Sequence, residues 1–258
     1  MKKLLSLLLV FALLMTAASA LAEDSLDRVK ASGKLRIGME GYWIPWTYRD
    51  EADVLTGFEV EVGKLIAAGL GVEPEFYEAD FGALLAGVNS DRFDIICNGV
   101  DWTPERAESY TFSIPYIYTE VVLVVRGDNE DIHTVEDLAG RTTSNSPNST
   151  YAQRAEKVGA GVTYVDSLVE TLMMVEQGRV DATINAKGSV EEYLEQHPDA
   201  NLKIVQVMPG DPVCYPVKLG SESLIEAVNA VLQAALDDGT LAALSEKYFG
   251  VNLTVKPE

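Results

Sequence analysis

Short runs rich in β-branched and apolar residues alternate along the chain with stretches whose apolar positions recur at helical spacing. This is the pattern of an α/β fold rather than an all-β sandwich. The runs predict strands at 35–39, 75–79, 93–97, 121–126, 162–165, 180–185, 202–207 and 213–218. Between them, Phe58, Val62, Leu65 and Ile66 share one helical face. Ser167 with Glu170 and Ser223 with Glu226 have capping-box spacing, and Asp237-Asp238-Gly239 ends the segment that starts near Ser223.

The pattern repeats itself. Asp80-Phe81 leads a helix that ends before Asp91-Arg92-Phe93-Asp94-Ile95-Ile96-Cys97-Asn98, and Asp166-Ser167 leads one that ends before Gly178-Arg179-Val180-Asp181-Ala182-Thr183-Ile184-Asn185. Each copy is a helix, a tight Arg-apolar-Asp connection and a buried strand finishing in Asn. Two such units predict two lobes of similar architecture. In open parallel sheets ligands sit beyond the carboxyl ends of the strands, here after Met39, Cys97 and Asn185. Two such edges facing each other across a hinge form a cleft that closes on a small molecule.

Composition narrows the partners. The 258 residues carry 40 Asp+Glu against 20 Lys+Arg, a net charge of −20, which repels nucleic acid and anionic lipid. Residues 1–22 read as a cleaved secretion signal: Lys2 and Lys3 precede an apolar run from Leu4 to Met15, and Ala20-Leu21-Ala22 offers a cleavage site. No cysteine stands near that point, so the expectation is a soluble periplasmic protein without a lipid anchor. Cys97 and Cys214 are either one disulfide or two buried thiols, and with only His133 and His197 beside them they do not make a zinc site.

Three segments at the strand ends carry chemistry. Glu40-Gly41-Tyr42-Trp43-Ile44-Pro45-Trp46 sets a carboxylate beside aromatics in a constrained loop, suited to a ligand wall. In Asn98-Gly99-Val100-Asp101-Trp102-Thr103-Pro104-Glu105-Arg106, Thr103 and Pro104 start a helix. Arg106 on its first turn gains nothing from the helix dipole; its fork can grip a carboxylate, or pair with a nearby acid at the surface. The polar loop Ser144-Asn145-Ser146-Pro147-Asn148-Ser149-Thr150-Tyr151 feeds a helix from about Ser149, whose free N–H groups face an anion or are simply capped.

Together these segments resemble the polar amino-acid family of solute-binding proteins that serve ABC importers (bacterial solute-binding protein family 3). The resemblance runs in order through Gly33-Lys34-Leu35-Arg36-Ile37-Gly38, Leu55-Thr56-Gly57-Phe58-Glu59-Val60, Arg92-Phe93-Asp94, Thr103-Pro104-Glu105-Arg106-Ala107, Phe112-Ser113-Ile114-Pro115-Tyr116, Gly178-Arg179-Val180-Asp181-Ala182 and Asp238-Gly239-Thr240-Leu241. It implies the type II periplasmic-binding-protein fold: two α/β lobes joined by two crossover strands, expected near 121–126 and 207–218. Lobe 1 would be residues 23–124 plus 212–258, and lobe 2 residues 125–211. It further implies that Arg106, with Ser149 and Thr150, binds a ligand carboxylate. Trp43, Trp46 and Phe81 would line the side-chain pocket, and Gly99 would offer a carbonyl to the amine.

Two departures bear on the ligand. The family commonly has Ser or Thr where this chain has Asp101, and an amine-binding Asp where it has Ala186. Asp101 or Glu40 would then supply the charge, aided by Asn185; the competing expectation is a carboxylate ligand without an amine. Asn98 and Ser146 complete the expected site. The reading is of a monomeric amino-acid-binding protein, without cofactor or metal, that closes on its ligand and delivers it to a membrane permease. A dehydratase-like enzyme using Glu40 and Asp101, and a sensor for a separate receptor, are the alternatives.

Overall fold

Each strand run anticipated above coincides with or overlaps a paired strand in the computed structural model, which describes residues 24–256; the expected secretion signal lies outside the described residues. In chain order the strands are β1 (Lys34–Met39), β2 (Tyr48–Arg49), β3 (Leu55–Thr56), β4 (Glu73–Glu78), β5 (Ile95–Ile96), β6 (Tyr110–Phe112), β7 (Ile117–Arg126), β8 (Thr142–Asn145), β9 (Gly161–Tyr164), β10 (Ala182–Ala186), β11 (Leu202–Val213) and β12 (Pro216–Lys218). One sheet runs β4-β1-β5-β12-β6 and the other β11-β7-β10-β8-β9, while β2 and β3 form a small hairpin. In the first sheet β1 is parallel to β4 and β5; in the second β8 is parallel to β9 and β10.

The chain leaves the first sheet after Phe112 and regains it at Pro216. Between these points β7 and β11 pair antiparallel from Ile117↔Val213 to Arg126↔Leu202, so these two strands are the crossovers. The second therefore lies earlier than 207–218, and the run at 213–218 divides at Cys214-Tyr215 between β11 and β12. Pro209 and Pro212 obscured this in the sequence. They fit because β11 is an edge strand and its register shifts between Pro209 and Pro212.

Two further local readings are corrected, and the alternative left open at the two cysteines is decided. Thr142–Asn145 is a strand, although the all-polar sequence suggested part of a loop. Its buried groups bond sideways: the Thr183 hydroxyl donates to the Ser144 carbonyl (2.7 Å) and the Asn145 amide to the Ile184 carbonyl (2.7 Å). Ser223 does not cap its helix, Glu222–Asp237; Ser221 holds the cap position, and the Ser223 hydroxyl donates to Asp24 Oδ1. Cys97 and Cys214 are free, buried thiols rather than a disulfide, both pushed to high pKa by burial, Cys214 to about 12. Ser167 does cap Leu168–Glu176, accepting from the Glu170 N–H.

The internal repeat is structural. After the helices Phe81–Asn89 and Leu168–Glu176, Asp91 and Gly178 occupy the same left-handed conformation (φ 58° and 67°). The next N–H groups, of Arg92 and Arg179, reach back to Gly87 and Met174 (both 2.9 Å). Asp94 then accepts from the Arg36 N–H (2.9 Å) and Asp181 from the Thr142 N–H (2.8 Å), fastening each turn to the neighbouring strand. The same device thus delivers β5 and β10 to the centres of their sheets.

One buried group joins the crossovers to the first sheet. Glu59 opens the helix Phe58–Leu70, whose Phe58, Val62 and Ile66 are fully buried as their spacing requires, with Leu65 half-buried. Its carboxylate is also fully buried and accepts from the Gly99 N–H (2.7 Å), the Tyr215 hydroxyl (2.6 Å) and the Tyr116 hydroxyl. Tyr116 precedes β7, Tyr215 follows β11, and their rings stack at 4.1 Å. Burial raises the Glu59 pKa to about 7, against the lowering effect of the three donors.

A carboxyl raised in the fold above its unfolded value favours folding fully below the unfolded pKa, and that contribution is lost as pH rises through the folded one. Melting of ligand-free protein should therefore show Glu59 costing on the order of 2–3 kcal/mol between pH 4.5 and 7. Glu59→Gln should flatten that part of the profile, whereas Glu59→Ala, stranding three donors, should destabilise at every pH. An unchanged pH profile in Glu59→Gln would contradict the assignment.

Candidate functional site

The carboxyl ends of the central strands face a cavity between the lobes. It is lined by Glu40, Trp43, Phe81, Asn98, Gly99, Asp101, Arg106, Ser146, Ser149, Thr150 and Asn185, all anticipated from the sequence, and by Tyr42, Tyr151, Asp166 and Leu168, which were not. Tyr42 and Tyr151 lie inside segments already singled out. Asp166 follows β9, so the strand-end rule could have found it.

Trp46 is the exception among the anticipated wall residues. It is buried behind Trp43, stacked on that ring at 4.8 Å, with its indole N–H donating to Ser189 Oγ (3.0 Å). It braces the wall rather than forming it. Ala186 likewise belongs to the core cluster that contains Trp46 and does not line the cavity.

Glu40, just beyond β1, and Asn98, beyond β5, hold each other. The Glu40 N–H donates to Asn98 Oδ1, and the Asn98 amide donates to Glu40 Oε2 (both 2.8 Å). Glu40 is nine-tenths buried and has no cationic partner among the described residues, and burial raises its pKa to about 7, with Asp80 and Asp166 adding like charge. Asp80 leads the helix Phe81–Asn89 without capping it and instead accepts from the Tyr42 hydroxyl (2.9 Å).

Arg106 is positioned as its sequence suggested. Thr103 caps the short helix Pro104–Ala107 by accepting from the Arg106 N–H (3.2 Å). The guanidinium is buried, lies 5.5 Å from the Phe81 ring centroid, and donates to the Asp101 and Asn148 carbonyls (2.8 Å each). It forms no ion pair with a carboxylate among the described residues. A guanidinium has five N–H donors, so three remain. Burial disfavours its charge, and Asp101 is the first of the groups opposing that.

Asp101 itself is buried, accepts from the Thr150 hydroxyl and has its pKa raised to about 6 by burial. Ser149 caps the helix Thr150–Lys157, accepting from the Ala152 N–H (3.1 Å) while donating to the Ser146 carbonyl (2.8 Å). The Ser146 hydroxyl donates to the Asp166 carbonyl (3.1 Å), and Asn185 accepts from the Ala186 N–H (2.9 Å). The Arg106–Asn148, Thr150–Asp101 and Trp46–Ser189 bonds all cross between the lobes, which are closed on each other. Chemically the cavity offers an anion a buried cation with spare donors, and offers cations two or more buried carboxylates.

Known proteins resemble this chain over most of its length. Residues 35–251 match the family described as bacterial extracellular solute-binding proteins, family 3. The chain is 39% identical over 90% of its length to a probable amino-acid ABC transporter-binding protein of Haemophilus influenzae, covering 91% of that protein. It is 35% identical over 98% of its length to the L-cystine-binding protein TcyA of Bacillus subtilis, covering 99% of that protein. Among solved structures, an ancestral arginine-binding protein bound to arginine superposes with a TM-score of 0.80 at 33% identity, covering 84% of this chain and 99% of that one.

Gly99 leaves little room for a side chain. Its φ is +57°, and a Cβ there would come within 3.0–3.1 Å of the Trp43 and Trp46 rings, both part of the packed wall. Gly99→Ala should lower the melting temperature and weaken binding of whatever the cavity holds, measured by calorimetry. Wild-type values for both would show that the wall yields without cost.

Proposed function

Because the chain belongs to the bacterial extracellular solute-binding proteins of family 3, we propose that its cavity takes a free α-amino acid, with the carboxylate on Arg106 and the ammonium at Asp101. The chain is an extracytoplasmic amino-acid-binding protein of the ABC-importer type, and its partner is a membrane permease. It works as a periplasmic monomer, with lobe 1 comprising residues up to 124 and from 212, and lobe 2 residues 125–211. Ligand shifts the open–closed equilibrium because only the closed state touches it from both lobes.

The observation that carries this reading is the unpaired charge of Arg106. A buried guanidinium held only by carbonyls and an aromatic face retains a strong need for an anion. Asp101 lies beside it, so the pair of charges complements the two ends of an amino-acid head group. Relatives named for cystine and arginine bind ligands with that same head group. Asp101 takes over the task that the family commonly gives to an acid at the position of Ala186.

A thermal-shift and calorimetric panel on protein unfolded, stripped of ligand and refolded tests the proposal. An amino acid at ~100 times its dissociation constant should add about 2.7 kcal/mol of stability. Arg106→Ala should weaken that ligand by about 2–5 kcal/mol. Stabilisation by no amino acid, or full affinity in Arg106→Ala, would refute it. Since an ammonium favours ionised Asp101, affinity should fall from pH 8 to pH 5.5 as this carboxyl, with its pKa of about 6, takes up a proton. Binding near pH 6 should release protons, seen as a buffer-dependent calorimetric enthalpy; a pH-independent affinity would place the ammonium elsewhere.

A further inference from the structure

We propose that Ser189 is a positioning residue that keeps the lobes closed: by accepting the Trp46 indole N–H across the lobe interface it lengthens the residence of every ligand without touching any. The inference deepens the closing-lobe reading above and rests on it. Neither Trp46 nor Ser189 lines the ligand cavity. Their hydrogen bond, 3.0 Å from Trp46 Nε1 to Ser189 Oγ, joins lobe 1 to lobe 2 behind the cavity wall.

The two side chains are sealed where they meet. Trp46 is 2% exposed and Ser189 1%, so in the closed state bulk water does not reach the indole N–H. Aromatic neighbours fix the Trp46 ring: it stacks on Trp43 at 4.8 Å, and Phe58 (6.2 Å) and Phe249 (4.8 Å) meet it edge-on. An indole has a single polar hydrogen and accepts nothing in return. Held in this packing, the Trp46 N–H cannot turn to another acceptor, so its pairing depends on Ser189. Trp43 in turn lines the cavity, which sets the interlobe bond one ring behind the ligand.

On the other side, Ser189 lies in the first turn of the helix Lys187–Gln196, which follows β10 directly and so moves with the second sheet. Asn185, which lines the cavity, lies in β10 just ahead of it. Small residues let this turn approach lobe 1. Ala186 joins the core cluster of Trp46, and a Cβ on Gly188 would stand 3.3 Å from the Phe249 ring. In an open cleft water satisfies the indole N–H; on closure the Ser189 hydroxyl replaces that water. Without the hydroxyl, closure would bury an unpaired donor while the open state would lose nothing, so the whole cost falls on the closed state. The ligand's own contacts are unchanged, so the cost is the same for every ligand and appears as faster opening, in dissociation rather than association.

The test is a double-mutant cycle followed by stopped-flow tryptophan fluorescence, with each of the standard amino acids and cystine that stabilises the wild-type protein as probe. Ser189→Ala should quicken dissociation about tenfold, by the same factor for each probe. Its association rate and the melting temperature of the ligand-free protein should stay at wild-type values. Trp46→Phe leaves no donor to strand, so adding Ser189→Ala in that background should change the dissociation rate less than about twofold. A wild-type dissociation rate in Ser189→Ala, an effect confined to one probe among several, equal quickening in both backgrounds, or a loss matched by lower ligand-free melting would overturn the assignment and leave the amino-acid reading intact. Failure of the wild-type protein to bind any of these probes would instead defeat the reading on which it rests.

Discussion

The fully buried carboxylate of Glu59 is the constraint on which the rest of the structure depends. Placing a carboxyl group among core side chains is unfavourable unless its oxygens are satisfied, and here three donors converge on it. Those donors belong to the loop after β5 and to the residues that flank the two crossover strands. The helix that supplies Glu59 is itself anchored by Phe58, Val62 and Ile66. One group therefore fixes where the hinge strands leave the first lobe and where the Gly99 backbone sits beside the ligand cavity. The residues flanking the crossovers and the cavity wall are thus joined by a single short chain of hydrogen bonds.

The electrostatics of the cavity follow from the same principle applied less completely. Glu59 is matched by donors from its own chain; Arg106, Asp101 and Glu40 are matched only in part. Each is at least nine-tenths buried, and each has its charged form disfavoured by burial. A site whose charges are incompletely paired in the closed state binds strongly to whatever completes them. On the proposed assignment a zwitterionic head group completes the Arg106–Asp101 end, and closure and ligand capture become one equilibrium rather than two events.

Much of this was legible in the sequence because strand ends are marked by short apolar runs followed by polar residues. Glu40 and Asn98 stand immediately after such runs, Asp101 follows in the same loop, and Thr103-Pro104 announces the helix that aims Arg106. The repeated turn at Asp91 and Gly178 was visible as a sequence echo. What escaped reading had no hydrophobic signature. The strand at Thr142–Asn145 is polar throughout and is stabilised by side-chain hydrogen bonds, and β11 hides its length behind two prolines that only an edge strand accepts. Trp46 was indistinguishable from Trp43 by type and spacing; only packing shows that one ring lines the cavity and the other supports it.

The central claim, that buried charges from two lobes are completed by a ligand that holds the lobes together, is tested most directly by small-angle X-ray scattering of the stripped protein with and without a stabilising amino acid. The account predicts a larger radius of gyration without ligand and a decrease on saturation, toward the value calculated for the closed structure. The same radius in both states, with calorimetry confirming that ligand is bound, would contradict it.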